Sequence, residues 1–250
     1  MNTPKCDSNT AVARQLPLAA SWGAIVFALG FPSVLTWIYF VVLEGRPAGA
    51  QQLAFTCGKA IQFLFPAVWV FHVERRRLEW PCPTHRGLMF GIGMGAVVSG
   101  VMLTVYFGGL AQTPEMRNTA ADVKQKLIGF GINSPGLMIA AGVFYAIIHS
   151  MLEEYYWRWF TFGQLRRLVP TRAAIVVSSL GFMGHHVIVL EHRYLPWPWW
   201  ALASLSVAVG GGIWAWLYER SGSILGPWAS HALVDAALFT IGYQMAFGAQ

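Results

Sequence analysis

Glu153 and Glu154 stand side by side in an otherwise apolar run that reads His149-Ser-Met-Leu-Glu153-Glu154-Tyr-Tyr-Trp-Arg158. Two later apolar runs carry Phe182-Met-Gly-His185-His186 and His231-Ala-Leu-Val-Asp235. A carboxylate and an imidazole that converge on one water make a general-base pair. A second imidazole can donate a hydrogen bond to the oxyanion of a tetrahedral intermediate. Together these groups could hydrolyse a peptide bond. The same inventory also suits zinc with an open position for water, and the ligands would then be Glu153, His186, His231 and Asp235. Neither H-E-x-x-H nor G-x-S-x-G occurs, and no cysteine lies near the three motifs. A covalent nucleophile therefore has little support.

Helical spacing sorts these residues into roles. His149 and Glu153, Glu154 and Arg158, and His231 and Asp235 are each four apart, so each pair shares a helix face. Glu153 and Glu154 are neighbours and point about 100° apart. Glu154 faces its natural counter-ion Arg158, which reads as an orienting ion pair. Glu153 has no cation on its own helix except possible help from His149, which makes it the candidate for chemistry. His185 sits beside His186 but about 100° away, and reads as a packing residue or a support to the site. His149 reads either as a support to Glu153 or as a polar residue on the bundle interior.

The elements that position these groups must be membrane helices. Of the 250 residues, 56% are hydrophobic and 11% are charged, against a usual charged share of about 25%. This composition excludes a disordered chain, a soluble nucleic-acid binder and a disulfide scaffold. Cys6, Cys57 and Cys82 form no C-x-x-C pair. A spanning helix needs about 20 apolar residues. Seven runs qualify: 16–43 with Pro32 as a kink, 53–73, 87–110, 135–160, 173–190, 199–218 and 224–247. The first is too long for a signal-peptide core and reads as a retained span. The third contains Gly87, Gly91 and Gly95, a doubled G-x-x-x-G that predicts close helix packing. Residues 115–130 predict an amphipathic surface helix. The run Pro196-Trp-Pro-Trp-Trp200 predicts an interfacial belt. With a cytoplasmic N-terminus, the inner segments hold ten basic residues and the outer segments five, so the reading is N-in and C-out. Lys59 and Arg158 lie within spans and are left out of that count.

Depth brings the motifs together. Pro170 and its basic neighbours mark the turn between the fourth and fifth runs. Glu153 lies 17 residues before Pro170 and His186 lies 16 after it, so both stand about 24 Å from the turn if the helices are antiparallel. His231 and Asp235 fall about 15–21 Å into the last run from the same side. The coincidence requires the fourth helix to continue past Phe160 through about Leu165.

The three motifs, in this order and at this depth, resemble the CPBP family of intramembrane proteases. That family includes the type II CAAX prenyl endopeptidases and the bacterial Abi-type bacteriocin-processing or self-immunity proteins. The resemblance covers 135–247 and implies an all-α membrane bundle with endopeptidase activity. It divides the chain into N-terminal helices and a connection (1–134) and a catalytic helix core (135–250) within one membrane domain. By motif, Glu153 and His186 would activate water and His231 and Asp235 would form the oxyanion hole. A metal-free glutamate mechanism is the preferred implication, with zinc as the alternative. The family often has Asn where this chain has Asp235, and an ionised Asp cannot donate a hydrogen bond. Asp235 is then protonated, or orients His231, or ligates a metal.

The implied partners are membrane lipid and a protein or peptide substrate, with no nucleic acid. The chain reads as a multi-pass protein of a bacterial inner membrane, whose substrate would be a leader peptide or the anchored tail of another protein. Buried carboxylates and histidines also build proton relays, so a proton- or ion-coupled transporter is the alternative. A non-catalytic immunity-type membrane protein is a third reading.

Overall fold

The computed structural model describes residues 16–76, 85–195 and 197–248. Lys5, Cys6, Arg14, Arg77, Cys82 and Pro196 lie outside the described residues. Eight helices follow in order: α1 (Leu18–Val42), α2 (Gly49–Val73), α3 (His85–Phe107), α4 (Pro114–Gly129), α5 (Pro135–Leu165), α6 (Thr171–His192), α7 (Trp199–Ser221) and α8 (Leu225–Phe247). There is no strand among the described residues.

Local chemistry explains the helix limits. Thr113 and Ser134 cap α4 and α5 by accepting the N–H of Met116 and Leu137, with proline at the first helical position of each. Pro170 precedes α6. Gly222 closes α7 at φ 68°, a left-handed conformation that glycine adopts without a Cβ clash. The helix of α1 runs through Pro32, which is buried.

Among the described residues, six helices (α1, α2, α3, α5, α6 and α7) are long and apolar enough to cross a membrane, so the chain is a multi-pass membrane protein. The seventh expected span, α8, is long enough at 23 residues but falls short in hydropathy. Ser230, His231, Asp235 and Gln244 interrupt its apolar run. These are residues that the bundle interior, not lipid, must accommodate.

Packing of α8 on α3 is close because both present small residues. A Cβ on Gly91 would collide with the Gly226 carbonyl, and one on Gly95 would come within 2.8 Å of the Ser230 Cα. The doubled G-x-x-x-G thus meets the helix that carries His231. On the opposite side α6 packs against both α7 and α1. The amphipathic helix α4 does not simply lie on the surface. Its apolar side, with Val123 and Leu127, joins Met138 of α5 and Ala246 of α8 in a small core. N-terminal helices therefore brace both helices that carry the histidine motifs.

One end of the bundle is locked by Glu74. Its buried carboxylate accepts hydrogen bonds from Gln164 Nε2 (2.7 Å), Arg167 Nη1 (2.8 Å), Arg76 Nη1 (3.2 Å) and Trp69 Nε1 (3.3 Å). This joins the ends of α2 and α5 and fixes their relative depth. Arg166 pairs with Glu219 nearby and ties in α7.

Candidate active site

Three helices meet at mid-depth. α5 brings His149, Glu153, Glu154 and Arg158, α6 brings Phe182, His185 and His186, and α8 brings His231 and Asp235. The extension of α5 to Leu165 supplies the depth match that the motifs require. Within α5 the segment Ser150–Glu154 is α-helical, but Phe144–His149 and Tyr155–Phe162 are π-helical. Wide π turns within α-helices recur at functional sites, where they re-aim side chains.

The two adjacent carboxylates have different surroundings. Glu154 is fully buried and forms an ion pair with Arg158 Nε at 3.1 Å. Its other oxygen, Oε1, lies 2.9 Å from His231 Nδ1. The Arg158 guanidinium lies over the rings of Phe182 (4.7 Å) and Trp214 (5.3 Å), so aromatic faces compensate part of its buried charge. Glu153 is 3% exposed, and no Lys or Arg among the described residues lies within ion-pair distance of it. Imidazoles surround it instead: His185 Nε2 at 3.5 Å, His231 Nε2 at 3.7 Å and His149 Nδ1 at 3.9 Å. These separations lie at or just beyond the limit of a direct hydrogen bond, so no single imidazole holds Glu153 tightly.

The histidines are held from behind. His186 Nδ1 lies 2.9 Å from the Phe182 carbonyl, so Nδ1–H donates there and Nε2 keeps its lone pair for the site. His231 is stacked on Trp214 at 4.0 Å, and Trp214 Nε1 donates to Ser230 Oγ at 3.1 Å. With Nδ1 directed at Glu154, His231 Nε2 points between Glu153 and Asp235 Oδ1 (3.6 Å). His185 has both roles that the sequence offered it: it stacks on Trp157 at 5.8 Å and directs Nε2 at Glu153. His149 reaches Glu153 as a support would, and its ring also packs on Tyr145 at 4.7 Å. Asp235 (17% exposed) and His149 (20%) are more open than Glu153, His185 and His231. Between α5 and α8 lies an apolar groove of about 570 Å³, lined by Gly142, Ala146, Ala236 and Phe239 among others.

Among the described residues, one donor set could hold a metal. Single ligand atoms of Glu153, His185 and His186 all lie within 4.8 Å of one another. The zinc set expected from sequence took His231 and Asp235 in place of His185. The structure brings His185 Nε2 to Glu153 as well, while His231 keeps Nε2 beside Glu153 and Asp235. Two imidazoles and one carboxylate are a donor set that catalytic zinc accepts.

The sequence reading did not single out Trp157 and Trp214, whose stacking fixes two of the four imidazoles. It noted Lys59 only as a charge within a span. Its ammonium lies near enough to interact with the charge of Glu153.

Residues 135–237 match the family described as type II CAAX prenyl endopeptidase Rce1-like. The match includes all three motifs. No curated protein and no solved structure matches the chain.

Proposed function

We infer, from the match of residues 135–237 to the family described as type II CAAX prenyl endopeptidase Rce1-like, that the chain hydrolyses a peptide bond of a membrane-associated protein or peptide. The observation that carries this reading is Glu153, a buried carboxylate with three imidazoles, and no Lys or Arg among the described residues, within ion-pair distance. Glu154, one residue on, has its cation in Arg158.

In this mechanism a water lies between the Glu153 carboxylate and the free Nε2 of His186. Glu153 accepts a proton as the water oxygen adds to the scissile carbonyl. The charge that develops on the carbonyl oxygen is met by His231. When His231 is cationic both ring nitrogens donate, Nδ1 to Glu154 and Nε2 to the oxyanion. Glu154, balanced by Arg158, sets the orientation of that ring. Asp235 lies beside His231 Nε2 and favours its protonated form, which is an orienting role open to an ionised Asp. The proton on Glu153 then passes to the leaving amine as the C–N bond breaks. Glu153, His185 and His186 could also hold zinc, which would lower the pKa of a bound water and polarise the carbonyl. The basic end of the bundle, with Arg76, Arg166 and Arg167, would face the cytoplasm of a bacterial inner membrane, leaving the N-terminus inside.

The test is cleavage of a membrane-peptide library by the purified protein in vesicles. Glu153→Gln should abolish cleavage while the thermal unfolding profile is kept, and cleavage by that variant would sink the assignment. Chelation with metal analysis on the same sample separates the two forms of the mechanism. Activity that persists without stoichiometric zinc supports the metal-free form.

A further inference from the structure

Lys59 is a cation inside α2, with 10 residues between it and Gly49 and 14 between it and Val73 counted to the span ends. An ionisable residue at such a depth is costly and is retained for a reason. Lysines near a membrane face usually extend their ammonium toward that face. Lys59 does not. Its Nζ donates to Gln62 Oε1 at 3.2 Å, one turn further into the span, and lies between the rings of Phe55 (5.6 Å) and Phe63 (5.5 Å).

No carboxylate among the described residues is within ion-pair distance of it, so two of its three donors have no acceptor side chain. Gln62 is fully buried, and its Nε2 has no hydrogen-bond partner. Lys59 thus has unused donors, and Gln62, enclosed beside it, holds the ammonium through Oε1. Lys59 itself is only partly buried.

The register between α2 and α5 places this pair at the active site. Glu74 and Gln164 are hydrogen-bonded. Lys59 lies 15 residues before Glu74 and His149 lies 15 before Gln164, so both are about 22 Å from that end. Phe63 completes the link, edge-on to His149 at 6.5 Å. Glu153 is one helical turn nearer the locked end. An anion held by Lys59 would therefore lie within a few residues of a peptide bond at Glu153.

We propose that Lys59 and Gln62 form an anion-receiving site that takes a carboxylate of the substrate peptide and so sets where along the peptide the bond is cut. This rests on the peptidase reading. The carboxylate is either the peptide's own C-terminus or an acidic side chain.

The experiment uses the full chain in phosphatidylcholine vesicles, where no anionic lipid competes. It uses three pools of labelled apolar decapeptides: free-acid termini, carboxamide termini, and carboxamide termini with one internal Asp. Retention of each pool is measured for the wild type, Lys59→Met and Lys59→Arg. Wild type should retain one acidic pool about tenfold or more over the neutral pool, the size of a charged hydrogen bond. Whichever acidic pool is retained identifies the source of the carboxylate. Lys59→Met should bring the ratio to about one, and Lys59→Arg should keep it. Equal retention of all pools by the wild type, or an unchanged ratio in Lys59→Met, overturns the proposal. If Lys59→Met fails to fold, Lys59→Gln replaces it, and the wild-type ratio remains decisive. Mass spectrometry of the same samples reads cleavage separately. A retained preference without cleavage would remove the peptidase reading and leave the site.

Discussion

At the end of the bundle, the carboxylate of Glu74 receives four donors, two of them from arginines. About three turns deeper, Glu153 is just as buried and receives no cation at ion-pair distance among the described residues. A fully paired carboxylate is held in one state and serves as a fastener. A carboxylate among imidazoles can exchange a proton, because each neighbour can be donor or acceptor. Burial is therefore the same at the two sites, and the partners decide which one does chemistry. Glu154 extends the comparison, since it touches the reactive group yet is paired like Glu74.

The sharpest way to break this contrast is to neutralise each carboxylate in turn. Glu153→Gln should reduce cleavage by at least the ~10²–10⁴-fold typical of a lost general base. Glu74→Gln should leave cleavage within a few fold. Rate measurements on the reconstituted variants decide it, and comparable losses in both would erase the distinction.

Glu154→Ala comes next. It leaves the Arg158 guanidinium buried without its counter-charge, a change that costs roughly 3–5 kcal/mol in buried pairs. The expected outcome is loss of the folded protein, read as a drop in detergent-extracted monomer and in helical signal. A folded but inactive Glu154→Ala would instead mean that its main task is orienting His231.

Gly91→Leu tests the support of the same site from outside it. The side chain would enter the Gly226 backbone, where α3 and α8 touch. Overpacking costs about 1–3 kcal/mol or more, and any separation of the helices carries His231 with it. Both thermal stability and cleavage should fall, and Gly93→Leu, with open space beside it, is the control.

The sequence made the spans and the pairs within each helix readable, because spacing of four residues is intrinsic to one helix. His149 with Glu153, Glu154 with Arg158 and His231 with Asp235 are all close in space. Depth across helices was readable too, since rise per residue is constant and α5 does run to Leu165. Rotation about each helix axis was not. It depends on packing between helices and on the π turns around Ser150–Glu154, and so the contact of His231 with Glu154 was hidden. The approach of His185 to Glu153 was hidden for the same reason. Run length alone also overcounted the spans: α8 is long enough, but the polar residues it brings to the site leave it less apolar than the other six.

The smallest effect belongs to the fastening end. Glu74→Gln removes the charge from bonds to Arg76 and Arg167 and should lower stability by about 1–3 kcal/mol. Glu219→Ala removes the partner of Arg166, but that pair is 44% and 31% exposed at its two side chains. Exposed pairs contribute about 0–1 kcal/mol and are screened by salt. A denaturation series at low and high salt should therefore show a clear loss for Glu74→Gln at both. Glu219→Ala should show a loss only at low salt, if any. If the two variants behave alike, Glu74 is held no more firmly than a surface residue, and its use as the structural reference for Glu153 fails.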